Sequence, residues 1–175
     1  LSTGIVCASA GNHAQGFALS CRQLDIKGKV YMPSTTPNQK VKMVKKFGGA
    51  NVEVILVGDT FDDAYAEAIK TCEEYGMSFI HPFDDPYIIA GNGTVGMEIM
   101  ESLDRPADYV FITIGGGGLA AGVGQYMRTI SPSTRLIGVE PLGAASMSEA
   151  ISRNEGITLD EIDKFIDGAA VKRVG

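Results

Sequence analysis

The sequence predicts an α/β fold with a mostly parallel sheet. Short apolar runs rich in β-branched residues recur along the chain, and stretches of helical period fill the gaps between them. Those runs are apolar continuously rather than alternately. A strand that is apolar on both sides has both sides covered, which is the habit of parallel sheets flanked by helices.

The elements follow in order. Gly4–Ala8 is the first predicted strand, and after a small polar turn a helix runs from about Ala14 to Leu24. A second strand covers Gly28–Met32. The next helix, Asn38–Phe47, starts after Pro37 and stops at Gly48-Gly49. A third strand covers Asn51–Val57. Asp59-Thr60 then supplies an N-cap for a helix over Phe61–Tyr75, which Gly76 ends. His81-Pro82-Phe83-Asp84-Asp85-Pro86 reads as a connector, because two prolines bracket two turn-forming acids. Beyond it lie a helix (Pro86–Leu103), a strand taken as buried (Tyr109–Ile114), a helix (Leu119–Thr129), a strand (Leu136–Val139) and a helix (Ala144–Asn154). There is no repeat and no low-complexity segment. Composition alone describes one α/β domain.

Charge and cysteine usage exclude several classes. A formal net charge of -6 disfavours nucleic acid as a partner. The basic cluster Lys40, Lys42, Lys45 and Lys46 reads as a solvated helix face. Cys7, Cys21 and Cys72 are odd in number and widely spaced, which suits buried thiols in a reducing cytoplasm rather than disulfides or zinc. No apolar run reaches bilayer-spanning length and no signal peptide opens the chain, so no membrane is expected. A core strand follows almost directly on Leu1-Ser2-Thr3, and Val174-Gly175 stops without a closing element; the chain reads as an internal piece of a larger protein.

Two turns have the chemistry of anion sites. Ser9-Ala10-Gly11-Asn12-His13 lies between a strand and a helix, where free N–H groups and the helix dipole favour a carboxylate or phosphate; a purely structural turn is the other reading. Gly115-Gly116-Gly117-Gly118, followed by Leu119, also joins a strand to a helix. Without Cβ atoms the backbone can come close to an anion, so this run reads as a phosphate cradle. Gly91-Asn92-Gly93-Thr94-Val95-Gly96 matches the dinucleotide motif by letters but lacks the strand that must precede it. Close helix packing is the better reading there. His13 has no acidic partner nearby in sequence, so a structural hydrogen bond is favoured over a general base.

These segments, with His81–Pro86, Ile89–Thr94 and Gly138-Val139-Glu140-Pro141, resemble in order the serine/threonine dehydratase branch of the pyridoxal-phosphate enzymes of fold type II, the tryptophan-synthase-β-like fold. The resemblance runs the length of the chain. It implies a small, substrate-loop domain over residues 4–80 and part of the large cofactor domain over residues 82–175. It implies pyridoxal 5′-phosphate as cofactor, an amino acid as the small-molecule substrate, and a homo-oligomeric parent. By residue, it places Ser9, Ala10, Gly11, Asn12 and His13 at the substrate carboxylate. Asn12, Phe83, Gly115, Gly116, Gly117, Gly118 and Leu119 fall to the cofactor, and Asp167-Gly168-Ala169-Ala170-Val171 to the exposed face of its ring.

The activity implied is deamination of L-threonine to 2-oxobutanoate and ammonia by α,β-elimination. The family's cofactor lysine lies in a Ser–aromatic–Lys motif before the substrate loop. No such motif occurs here, so no catalytic residue is assigned, the lysine is expected upstream, and the chain is expected to be inactive alone. Serine dehydratase or racemase chemistry is an alternative, as is a non-enzymatic anion-binding α/β module. In the racemase branch the residue before the loop glycine is a serine acting as the second base; here it is Ala10, which favours elimination. Glu140 stands where some relatives ligate a divalent cation, but Ser146 falls where the partner Asp would be, so no metal is expected.

Overall fold

In the computed structural model, which describes residues 3–163, 165, 166 and 168–175, the chain divides into two compact units, Leu1–Pro82 and Phe83–Gly175. The first carries β1 (Ile5–Ala8), α1 (Asn12–Gln23), β2 (Gly28–Met32), α2 (Asn38–Gly48), β3 (Val52–Leu56), α3 (Phe61–Tyr75) and β4 (Ser78–Phe79). All four strands are parallel in the order β3-β2-β1-β4, so Val6 sits between Lys29 and Phe79.

The central strand β1 is buried at every residue, and its alternation feeds two cores. Ile5 and Cys7 pack with Phe17, Cys21, Met32 and Val44 on the α1–α2 side. Val6 and Ala8 pack with Tyr31, Ala64 and Ala68 on the α3 side. The buried Tyr31 hydroxyl is satisfied by Thr71 Oγ1 at 2.6 Å. A reciprocal capping box between Thr60 and Asp63 starts α3, and Gly76 ends it in the left-handed region.

The second unit carries α4 (Pro86–Glu101), β5 (Tyr109–Thr113), α5 (Gly118–Ile130), β6 (Arg135–Val139) and α6 (Ser146–Arg153). Asp85 caps α4 by accepting from Tyr87 N at 2.8 Å and Ile88 N at 3.2 Å, with Pro86 in the first turn. Strands β5 and β6 pair in parallel, Phe111 opposite Ile137. Ile112 packs with Val123 and Met127 of α5 and with Ile99 and Met100 of α4.

The expectation of a buried strand over Tyr109–Ile114 is corrected here. Tyr109 is 53% and Phe111 71% exposed, and every residue of β6 is exposed. Alternate side chains of β5 point away from α4 and α5, toward a face that no described element covers. The Gly91–Gly96 motif lies inside α4, not after a strand, which removes the dinucleotide reading. No described helix is long and apolar enough to cross a membrane.

Candidate functional site

In the first unit the turn from β1 to α1 is built around Ser9. Its backbone N–H donates to Tyr31 O at 3.1 Å, which ties the turn to β2. Its hydroxyl oxygen accepts from Gly11 N at 3.1 Å, leaving the hydroxyl proton for another acceptor. Gly11 is the N-cap of α1 and, having no side chain, leaves the first-turn N–H groups of Asn12, His13 and Ala14 uncapped. Gly11 and Asn12 are exposed, while Ser9, Ala10 and His13 are half-buried. The turn therefore presents a hydroxyl, an amide side chain and a helix N-terminus, a donor set suited to a carboxylate.

The His13 ring is turned inward. Its Nε2 donates to Ile80 O at 3.2 Å, the structural bond favoured by the sequence. Burial lowers its pKa below the ordinary 6.5; the Ile80 bond opposes that shift and His81 adds to it. Near neutral pH the ring is uncharged, and what His13 offers an anion is its backbone N–H. Ile80 as its partner was not legible in the sequence, since nothing in the spacing points across 67 residues.

In the second unit the four-glycine turn joins β5 to α5. Gly117 is the N-cap of α5 with φ +96° and no side-chain cap, so the N–H groups of Gly118 and Leu119 open the helix without a partner from the cap. The glycines are also required by packing. A Cβ at Gly116 would collide with the Phe83 ring, and one at Gly118 would stand 2.7 Å from Phe83 O. One at Gly115 would stand 3.3 Å from Gly168 O and from Ala169 Cα. Gly175 N donates to Gly116 O at 3.1 Å. Phe83 thus supports the turn from beneath its Cα atoms. Of the segment Asp167–Val171, Gly168 and Ala169 flank Gly115, while Asp167 lies outside the described residues.

Glu140 follows β6 directly and turns its carboxylate to the start of α6. Oε1 accepts from Met147 N at 2.7 Å; Oε2 accepts from Ser148 N at 2.8 Å and from Ser148 Oγ at 2.7 Å. Both oxygens are therefore engaged by protein donors. Among the described residues no group of three or more His, Cys, Asp or Glu side chains could hold a metal ion. Burial pushes the Cys21 thiol up to about 11 and raises Cys7 further, which disfavours the thiolate form of both.

The family model for pyridoxal-phosphate dependent enzymes matches residues 2–175. The chain belongs to that family. It is 59% identical over 175 residues to the biosynthetic L-threonine dehydratase IlvA of Halalkalibacterium halodurans, covering 100% of this chain and 42% of that protein. It is 55% identical over 172 residues to the protein of the same name from Bacillus subtilis, covering 98% of this chain and 41% of that one. The chain thus spans about two fifths of the length of these pyridoxal-phosphate family relatives. A solved structure of the processed form of threonine deaminase isoform 2 from Solanum lycopersicum superposes with a TM-score of 0.92 at 46% identity, over 100% of this chain and 50% of that one. The fold is accordingly that of the type II pyridoxal-phosphate enzymes, as the sequence motifs imply.

Proposed function

We propose that the whole protein is a threonine ammonia-lyase, converting L-threonine to 2-oxobutanoate and ammonia. The observation that carries this reading is the likeness, along the entire chain, to proteins named as biosynthetic L-threonine dehydratases. The uncapped helix starts at Gly11 and Gly117 fit what such an enzyme must hold, a substrate carboxylate and a cofactor phosphate. In this reading residues 4–80 are a small substrate-loop domain and residues 82–175 part of a large cofactor domain. The whole protein is a cytoplasmic homo-oligomer.

When bound, the cofactor supplies the electron sink that makes the substrate α-proton removable. Ser9, Gly11 and the first-turn N–H groups of α1 hold the carboxylate, and the Asn12 amide serves both substrate and cofactor oxygen. Gly115 to Gly118 and Leu119 hold the phosphate by backbone N–H donation, and Phe83 keeps that turn in shape. Ala10 has no group that can move a proton, so the position before the loop glycine provides no second base; that favours elimination over racemisation.

The deciding experiment assays the whole protein, loaded with pyridoxal 5′-phosphate, for keto acid from L-threonine. 2-Oxobutanoate is the expected product, and borohydride should fix the cofactor on a lysine outside residues 1–175. The isolated chain should give none. Conversion of L-serine to D-serine without keto acid from threonine would replace this reading with a racemase, and capture of the cofactor on a lysine of this chain would overturn the site assignment.

A further inference from the structure

We infer that Glu140 is a positioning residue for the phosphate cradle and acts on Gly117 through Met147. The inference rests on the reading of Gly115–Gly118 as that cradle. Four successive glycines have the most backbone freedom to lose, so their shape must be imposed by what packs on them. Gly115 has Gly168 and Ala169 against it, and Gly116 and Gly118 have Phe83. Gly117 is the one of the four with a left-handed backbone, φ +96°. Among the described residues other than its chain neighbours, the only heavy atom within 4 Å of a Cβ placed there is Met147 Cε, at 3.3 Å.

Met147 is held in turn by Glu140. Helix α6 begins after Ala145, which has no side-chain oxygen with which to cap it. Glu140 replaces that cap from outside the helix, its carboxylate accepting from Met147 N and Ser148 N at 2.7 and 2.8 Å. These bonds are charge-assisted and lie at the positive end of the helix dipole. Glu140 also sits at the end of β6, whose Val139 O accepts from Ile114 N at 2.9 Å, one residue before the cradle. One carboxylate therefore fixes both the first turn of α6 and the methyl group that covers Gly117.

The test compares two ligands that differ only in the phosphate. Pyridoxal 5′-phosphate and pyridoxal are titrated into the whole apo-protein, wild type and Glu140→Ala, and the ratio of their dissociation constants is taken. Loss of a cap's worth of restraint should lower the preference for the phosphorylated ligand about tenfold in the variant, with pyridoxal affinity unchanged. Amide exchange should rise over Gly115–Leu119 and not in α1. Equal loss for both ligands, or an unchanged ratio, overturns the proposal. A wild type with no preference for the phosphorylated ligand overturns instead the cradle reading on which it rests. Should Glu140→Ala not fold, Met147→Ala and Met147→Leu decide the matter. Alanine should lower the ratio and leucine, which keeps the bulk over Gly117, should preserve it; an unchanged ratio in Met147→Ala overturns the inference.

Discussion

Gly122 of α5 and Gly93 of α4 meet backbone to backbone. A Cβ at Gly122 would stand 2.7 Å from Gly93 N and collide with Ile89 O. This is what Gly93 and Gly96 of α4 provide, since helices lacking side chains at the crossing can approach each other's main chain. Gly122→Ala should destabilise the fold by about 1–3 kcal/mol, the usual cost of overpacking against atoms that cannot move aside. Gly91→Ala, in the same helix pair but with nothing within 4 Å of its Cβ position, should instead stabilise by about 1 kcal/mol through helix propensity. Urea unfolding of the two variants separates these effects. Equal losses would mean that the crossing is not where the glycines matter.

Phe83 distinguishes two glycines of the cradle. At Gly116 the obstacle to a methyl group is the Phe83 ring, a side chain; at Gly118 it is Phe83 O and Cα, which are main chain. Gly116→Ala should therefore weaken pyridoxal 5′-phosphate binding in a way that Phe83→Ala, which removes the ring atoms in the way, partly restores. Gly118→Ala should abolish binding with or without that second change. A double-mutant cycle on cofactor affinity measures the coupling, and zero coupling between positions 83 and 116 would contradict the packing.

Ser9 offers a hydroxyl proton while its oxygen holds Gly11 N. Ser9→Ala removes a donor to a charged carboxylate and the acceptor that shapes the turn. Hydrogen bonds to charged groups contribute about 1.5–3 kcal/mol, so KM for L-threonine should rise at least tenfold in the whole enzyme. A variant with unchanged KM would show that the turn does not meet the substrate.

Much of this was legible in the sequence, and the exceptions have physical causes. The helix Phe61–Tyr75 is legible because local chemistry marks both ends, Asp59-Thr60 at one and Gly76 at the other; the structure adds Asp63 as the reciprocal half of the cap. Strand β4 carries no sequence signal: Ser78–Phe79 is two residues long, too short to show a period. Helix α6 begins at Ser146 rather than Ala144 because Leu142–Ala144 forms a 3₁₀ turn and the cap comes from Glu140, outside the segment where a capping signal is sought. The apolar run Tyr109–Ile114 established a strand but not what covers it; Phe111 is as apolar as Ile112, and only Ile112 faces α5. The resemblance marks Glu140 only as a weak candidate metal ligand, and nothing in the sequence marks it as a cap, since its partners are the N–H groups of residues seven and eight positions on.

His13 supplies a pH dependence of definite sign. Burial lowers its folded-state pKa below the ordinary 6.5, so between the two values the unfolded chain binds the extra proton and the folded chain does not. The stabilisation from the neutral ring bonded to Ile80 is therefore fully present above pH 6.5. It is lost progressively as pH falls through that value to the folded pKa, below which the loss levels off. His81 pushes His13 in the same direction, so part of the slope can arise from its charge. His13→Gln keeps an N–H donor for Ile80 O without a titrating group. Thermal unfolding followed from pH 7.5 to 5 should show a falling midpoint in the wild type and a flatter profile in this variant. His81→Gln should flatten the profile less, because that substitution removes a minor repulsion and leaves the burial of His13 in place. If instead His13→Gln kept the full slope and His81→Gln abolished it, the inward-turned ring would not be the group whose protonation opposes the fold.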